Sequence, residues 1–195
     1  MAALADTNTT SDVKLRDLQV SARSRDIELS IYRITKGEEI VKAIDAAKAS
    51  GATALNVLAS PVHWANRYLI MDRVAALRLP AMYQGPEMVE EGGFADYGPR
   101  AAQLFRDIQA RQLVELLRGA KVADVPVEQP TKFELVVSLK AARAFGLTIS
   151  ETFLSRADEV IEQPNTVRCR LLAPNGPGTA GFESPLTDLK LTWLP

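Results

Sequence analysis

The first hundred residues alternate between short apolar runs and segments of helical spacing, and few folds accommodate that pattern. "MAALA" (Met1–Ala5) is followed by "DTNTTSD", rich in turn and N-cap residues, and then by Leu15, Leu18 and Ala22 on one helical stripe running to Arg25. "IELSIYRI" (27–34) alternates with period two and predicts a strand. Ile40, Val41, Ile44 and Ala47 form a second helical stripe, with Gly51 placed to end it. "ATALNVLAS" predicts a buried strand closed by Ser60-Pro61. Trp64, Tyr68, Met71 and Ala75 give a third helix face ending at Leu79-Pro80, and "AMYQG" is a fourth strand. Strands separated by helices of this length build βαβ units. The expected fold is therefore α/β, in three layers: a mostly parallel, flavodoxin-like sheet with helices on both faces.

The second half carries the same signals with a different punctuation. Glu87–Glu91 reads as a single turn before Gly92-Gly93, and "FADYGPR" as extended. Ala101–Arg118 reads as a long amphipathic helix, with Gly119 just past its end. In "PVEQPTKFELVVSL" two prolines four residues apart precede a β-branched run. Proline fixes φ and removes a backbone donor, so the segment before Phe133 is neither helix nor central strand. It is a stiff connector that delivers the strand "FELVVSL" from elsewhere. A short helix through Phe145-Gly146 and a final helix from about Ser150 to Ile161 follow. Beyond Glu162 the chain has five prolines and no sustained periodicity, and reads as an irregular tail over 163–195.

Composition removes several function classes. Net charge is −1, from 23 basic and 24 acidic residues, which points to neither nucleic acid nor an anionic membrane as a partner. No apolar run approaches the roughly 20 residues needed to span a bilayer. The N-terminus lacks the basic and apolar regions of a secretory signal, so the chain as given is expected to stay where it is made, in the cytoplasm. The single histidine, His63, would have to serve any Ser-His-Asp arrangement, yet lies beside Trp64 with no nucleophile motif nearby and reads as structural. Cys169, the only cysteine, reads as an incidental thiol, and no Cys/His cluster offers a metal site. "GPGTAG" (176–181) matches a dinucleotide fingerprint, but the prolines around it exclude the strand and helix that the fingerprint needs. No cofactor is expected.

The segments "LRLPAMYQGPEMVEEGGFADYGPR" and "VPVEQPTKFELVVSLKAARAFGLTIS", with "RADEVIE" as the close, resemble one family. They are similar to the C-terminal lobe of ABC transporter substrate-binding proteins of the tryptophan/tyrosine-binding type. The resemblance extends over residues 1–162 and is most specific in its second half. It implies one lobe of a type I periplasmic binding protein, which holds a small solute such as an amino acid between two lobes and hands it to an ABC permease without catalysis. It also implies a periplasmic setting. Within that architecture, residues 98–130 carry the chain out of the lobe, along the first lobe as the Ala101–Arg118 helix, and back through the proline connector as a hinge strand. Family members have an export signal or anchor and a complete first lobe, neither of which is found here. The expectation is a receptor truncated to one lobe and impaired in binding, with a helix whose apolar stripe either folds back or drives self-association.

In parallel sheets, ligands bind beyond the carboxyl ends of the strands, where strand order reverses. The candidate ligand-facing residues there are Asn8 and Thr9, expected to open the first helix and present its amides to a carboxylate; Ser60 after the third strand; Tyr83, Gln84 and Glu87 after the fourth; and Tyr97 at the crossing. Each admits a local role as well, Asn8–Ser11 as caps and Tyr83 and Tyr97 in packing. Two other function classes share this strand pattern. A small flavodoxin-like enzyme would need a phosphate-cradling loop, for which "ADTNTTSD" is a weak candidate. A response-regulator-like interaction module would need an acidic cluster, of which only Asp6 is in place.

Overall fold

The computed structural model describes residues 1–162; the tail, Cys169 and the "GPGTAG" match lie outside them. Seven strands form one sheet: β1 (Ala2–Asp6), β2 (Ser30–Ile34), β3 (Leu55–Val57), β4 (Ala81–Tyr83), β5 (Ala95–Gly98), β6 (Glu134–Ser138) and β7 (Glu159–Ile161), in the order β2-β1-β3-β4-β5-β6-β7. Pairs from β2 to β5 are parallel. The β5–β6 pair is antiparallel, with Gly98 opposite Glu134, and β7 is parallel to β6. Strand order reverses at β1, which has β2 on one side and β3 on the other.

Period-two side-chain alternation sorts β1 between the two faces. Ala2 and Leu4 join the larger core with Ile40, Ile44 and Ala47 of α2 (Ile40–Ala49) and Ile70, Met71 and Val74 of α4 (Arg67–Ala76). Ala3 packs on the opposite face with Ala22 of α1 (Asp12–Arg23) and Leu29. β1 is buried at every position, as a strand covered on both faces must be. The sheet also places α5 (Pro86–Glu90) over β5 and β6, and α8 (Leu139–Ala144) against β7. At Gly93 an added Cβ would fall 2.7 Å from the Tyr83 ring and 2.8 Å from the Met88 carbonyl oxygen, so only glycine fits there.

Several expectations need correction. The second strand begins at Ser30, not Ile27, because α1 ends in a turn with Asp26 at φ +55° and the Ile27 amide returns to the Ala22 carbonyl. The helix expected from the face Trp64, Tyr68, Met71 and Ala75 is two helices, α3 (Pro61–Ala65) and α4, broken at Asn66. Its buried residues are His63, Ile70, Met71 and Val74, whereas Trp64 and Tyr68 are exposed. The final helix stops after one turn, α9 (Glu151–Leu154), and Glu159–Ile161 is strand β7. The reason is tertiary: β6 presents a free edge, and the Asp158 amide donates to the Leu135 carbonyl while the Leu135 amide donates to the Asp158 side chain.

The Ala101–Arg118 helix is present as α6 (Ala101–Leu104), a π-helical turn (Phe105–Gln109) and α7 (Ala110–Leu117). The proline connector returns along it, tied by the Gln112 side-chain amide to the Pro126 carbonyl at 2.9 Å and by an ion pair of Arg111 with Glu128. No residue between Pro99 and Phe133 is buried. Phe105, Leu113 and Leu117 stand exposed, so the arm does not fold back onto the sheet.

Core and arm are expected to respond differently to the same truncation. Ile44→Ala, at a fully buried position, should destabilise by about 2–5 kcal/mol. Leu117→Ala, 78% exposed, should stay within about 0.5 kcal/mol. Urea unfolding of both variants checks the assignment, and a large loss at Leu117 would mean that the arm is packed.

Candidate functional site

The carboxyl ends of β1, β3, β4 and β5 lie along one edge of the sheet, joined to each other by hydrogen bonds of side chains to one another and to backbone. Asp6, 1% exposed at the end of β1, accepts from the Asn8 amide at 2.9 Å and from the Ser60 hydroxyl at 2.6 Å. Ser60 also accepts from the Val62 amide at 3.0 Å and so caps α3. The Ala59 amide donates to Gln84 Oε1 at 3.1 Å, joining the loop after β3 to the end of β4. The Gly85 amide donates to Asp96 Oδ1 in β5, and the Ala101 amide donates to Glu87 Oε1 at 3.0 Å. Gly98 lets β5 pass this close: a Cβ there would lie 3.0 Å from the backbone carbon of Gln84.

Six of the seven candidate residues therefore come to this edge or its flank, by different routes. Asn8 is exposed and donates from its side-chain amide to the Thr35 carbonyl at 3.0 Å. Thr9 sits in the same turn. Neither opens α1, whose cap is Ser11 with its hydroxyl accepting from the Lys14 amide. Ser60, Gln84 and Glu87 tie the strand ends together. Tyr97 is exposed and stacks on Phe133 across the β5–β6 pair, ring centroids 5.8 Å apart. Tyr83 is the exception: it is 1% exposed within the core, and burial pushes its hydroxyl pKa upward.

Charge is concentrated where β5 meets β6. Arg100 holds Glu90 at 2.6 Å, Glu134 at 2.5 Å and Glu159, while Lys132 adds a second cation to Glu134 at 2.7 Å. The hydrogen bond with Glu90, followed by that with Glu134, holds the guanidinium pKa above its ordinary value. Lys132 and then Arg100 hold Glu134 below the usual carboxylate range. Beside this cluster Arg67 lies over the rings of Trp64 (5.1 Å) and Tyr68 (4.4 Å) and pairs with Glu91. Sequence reasoning did not assign Asp96, Arg100 or Arg67 to the site. "FADYGPR" shows a carboxylate and a guanidinium four residues apart, but their partners come from α5, β6 and β7.

His63 is 2% exposed and its Nδ1 lies 2.6 Å from the Leu58 carbonyl oxygen. Burial lowers its pKa, against smaller opposing effects of the Leu58 hydrogen bond and of Asp6. Burial alone would raise Asp6, but the hydrogen bonds from Ser60 and Asn8 outweigh it and leave the carboxyl low. The Ser60 proton is thus committed to Asp6 and the His63 Nδ1 to Leu58, so these residues are not arranged as a serine–imidazole relay. Two concavities lie away from the edge. One of about 380 Å3 is lined by Gln19, Arg23 and Leu29; an apolar one of about 200 Å3 lies among Met71, Tyr83, Phe94 and Phe145. At the edge itself Asn8 and Gln84 are exposed, Ser60 and Glu87 half-buried and Asp6 buried.

A sequence model of the family described as ABC transporter substrate binding protein matches residues 4–161. Comparison with curated protein sequences gives no match. Among solved structures, the chain is similar to the ABC domain in complex with L-Trp from Streptococcus pneumonia (TM-score 0.74, 23% identity). It is also similar to a conserved domain protein from Vibrio cholerae O1 biovar El Tor (TM-score 0.73, 21% identity). A third likeness is to the ligand-free, open form of CD0873, a substrate binding protein with adhesive properties from Clostridium difficile (TM-score 0.57, 18% identity). The matches cover 82%, 82% and 83% of this chain and 54%, 53% and 54% of those chains, so it spans about half their length. At these identities the likeness establishes the fold: one α/β lobe of the periplasmic-binding type.

Removing the Arg100 guanidinium leaves Glu90, Glu134 and Glu159 without their shared cation. Arg100→Met should destabilise by roughly 1–3 kcal/mol at pH 7, between the exposed and buried limits for ion pairs. Since Glu134 is held below its unfolded value, the loss should shrink as pH falls below about 4 and the carboxylates protonate. Urea unfolding of both proteins across pH 3–7 measures it; a difference independent of pH would contradict the electrostatic origin.

Proposed function

We propose a function from one premise: the chain belongs to the ABC transporter substrate binding protein family. Its carboxyl edge is one wall of a solute cleft, and Met1–Glu162 is the lobe that carries it. Residues 98–130 are the crossing arm and hinge strand, which pack against an opposing lobe. The role is capture of a small solute for an ABC permease, in the periplasmic setting usual for the family, with no reaction catalysed. The observation that carries this reading is the joined row Asp6, Ser60, Gln84 and Glu87 at the strand ends, directly beside the chain's exit from the lobe.

The solute class we favour is an amino acid or a related compound. The L-Trp complex of a similar fold supports it, as does an edge rich in hydrogen-bonding groups and flanked by the exposed rings of Trp64 and Tyr97. Asn8, Thr9, Ser60, Gln84, Glu87 and Tyr97 are the contact candidates on this chain. Tyr83 supports them from the core.

A two-walled receptor of micromolar Kd uses about 8 kcal/mol of binding free energy. If one wall supplies half, about 4 kcal/mol remains, a Kd near 1 mM. Calorimetry of the 195-residue chain against an amino-acid panel is expected to give millimolar binding, weakened by Gln84→Ala. Micromolar affinity would sink the one-wall reading, and no saturable binding to any solute in the panel would sink the proposed solute class.

The exposed stripe of the arm supports a second reading, self-association through residues 101–118. Apolar patches of several hundred Å2 are seldom left bare, and Phe105, Leu113, Val114 and Leu117 lie along one uncovered helix. Size-exclusion chromatography with light scattering should then show a concentration-dependent dimer that Leu113→Glu disperses. A clean monomer at all concentrations removes this reading.

A further inference from the structure

Glu87 of α5 and Asp96 of β5 meet around Gly85, and each leaves one carboxylate oxygen buried without a partner. Asp96 is 0% exposed; its Oδ1 accepts the Gly85 amide, while Oδ2 has no hydrogen-bond partner. Glu87 Oε1 accepts the Ala101 amide, while its buried Oε2 has none and lies 3.3 Å from where a Gly85 Cβ would stand. An ionised carboxylate only accepts, so two ionised groups here would leave two unpaired buried acceptors and two like charges that repel within one desolvated region. A single proton removes both problems, because a protonated carboxyl donates to the other.

We propose that Glu87 and Asp96 hold one proton between them and act as a latch joining the loop after β4 (Gln84–Glu87) to the chain's exit from β5 (Gly98–Ala101). With the proton present, both carboxylates are satisfied and the Gly85 and Ala101 amides stay fixed. With it lost, like-charge repulsion loosens the loop from the exit. The neighbouring groups leave this pair to itself. From the end of β5, Arg100 faces it, but its guanidinium is engaged by Glu90 of α5, Glu134 of β6 and Glu159 of β7. Lys132 is drawn to Glu134, and Arg67 of α4 to Glu91. From α3 the Trp64 ring comes within 3.5 Å of the Gly85 Cβ position and helps to exclude water.

Burial first, and Glu87 with it, pushes the Asp96 carboxyl up to about 7, against the pull of the Gly85 amide and of Arg100. The latch therefore opens near neutral pH. Its folded value lies above the unfolded one, so the folded state keeps the proton through that interval. The stability it confers is full below about pH 4 and is lost as pH rises through 7. The latch itself does not depend on the identity of the solute; its meaning for ligand capture rests on the proposed reading that this edge faces a cleft.

The test is a pH titration of the full chain without ligand, so that it can fail or succeed independently of that reading. Carbon-13 NMR of the Asp96 side-chain carboxyl should show a midpoint near 7, moving down by at least about one pH unit in Glu87→Gln. Asp96→Asn supplies an N–H to Glu87 without titrating. Between pH 5 and 8 the wild-type Tm should fall relative to this variant, a difference from which the burial of His63 cancels. An Asp96 carboxyl already ionised at pH 5, a midpoint indifferent to Glu87→Gln, or parallel Tm curves would overturn the latch. If Asp96→Asn does not fold, the two NMR titrations decide alone.

Discussion

Two buried aspartates hold the carboxyl edge of this sheet together. Asp6 at the end of β1 and Asp96 in β5 are sequestered from water, and each accepts a backbone N–H from a loop that follows a strand. A parallel sheet leaves such loops without ladder partners, and a buried amide left unpaired is costly. The carboxylates take that role and fix the loops in the same stroke. Asp6 spans the point where strand order reverses, linking the β1 and β3 loops through Ser60. Asp96 does the same for the β4 loop. Gln84 and Glu87 extend the series to Ala59 and Ala101.

The two aspartates are shifted in opposite directions despite the same burial. Around Asp6 the Ser60 hydroxyl and the Asn8 amide supply enough hydrogen bonds to outweigh desolvation and keep the group ionised. Around Asp96 the donors are fewer and Glu87 adds a like charge, so desolvation prevails. The difference follows their neighbours. Loop residues with free donors surround the first, whereas the second sits inside a strand whose amides are already committed to the sheet.

The arm between Pro99 and Phe133 has a different physics from the rest. Nothing in it is buried, and its side-chain links to itself are one surface ion pair and two side-chain to backbone hydrogen bonds. Such contacts contribute little, and a short amphipathic helix gains little stability from propensity alone. The prolines at 126 and 130 hold the return path extended, and the antiparallel β5–β6 pair brings the chain back beside its own exit. Exit and return thus leave the sheet at one corner, where Arg100 gathers carboxylates from α5, β6 and β7.

By itself the sequence determined the elements whose signals are local: the alternating strands and helices, the stiff connector and the amphipathic arm. Period and turn chemistry act over a few residues, so a linear reading captures them. Only the tertiary structure decided that "DEVIE" joins the sheet at its free edge, that Tyr83 turns inward while Trp64 and Tyr68 turn out, and that Asp96 and Glu87 both reach Gly85. Those outcomes depend on which backbone edge is vacant and which groups share a desolvated space. Both are properties of distant segments brought together, and no stretch of chain encodes them alone.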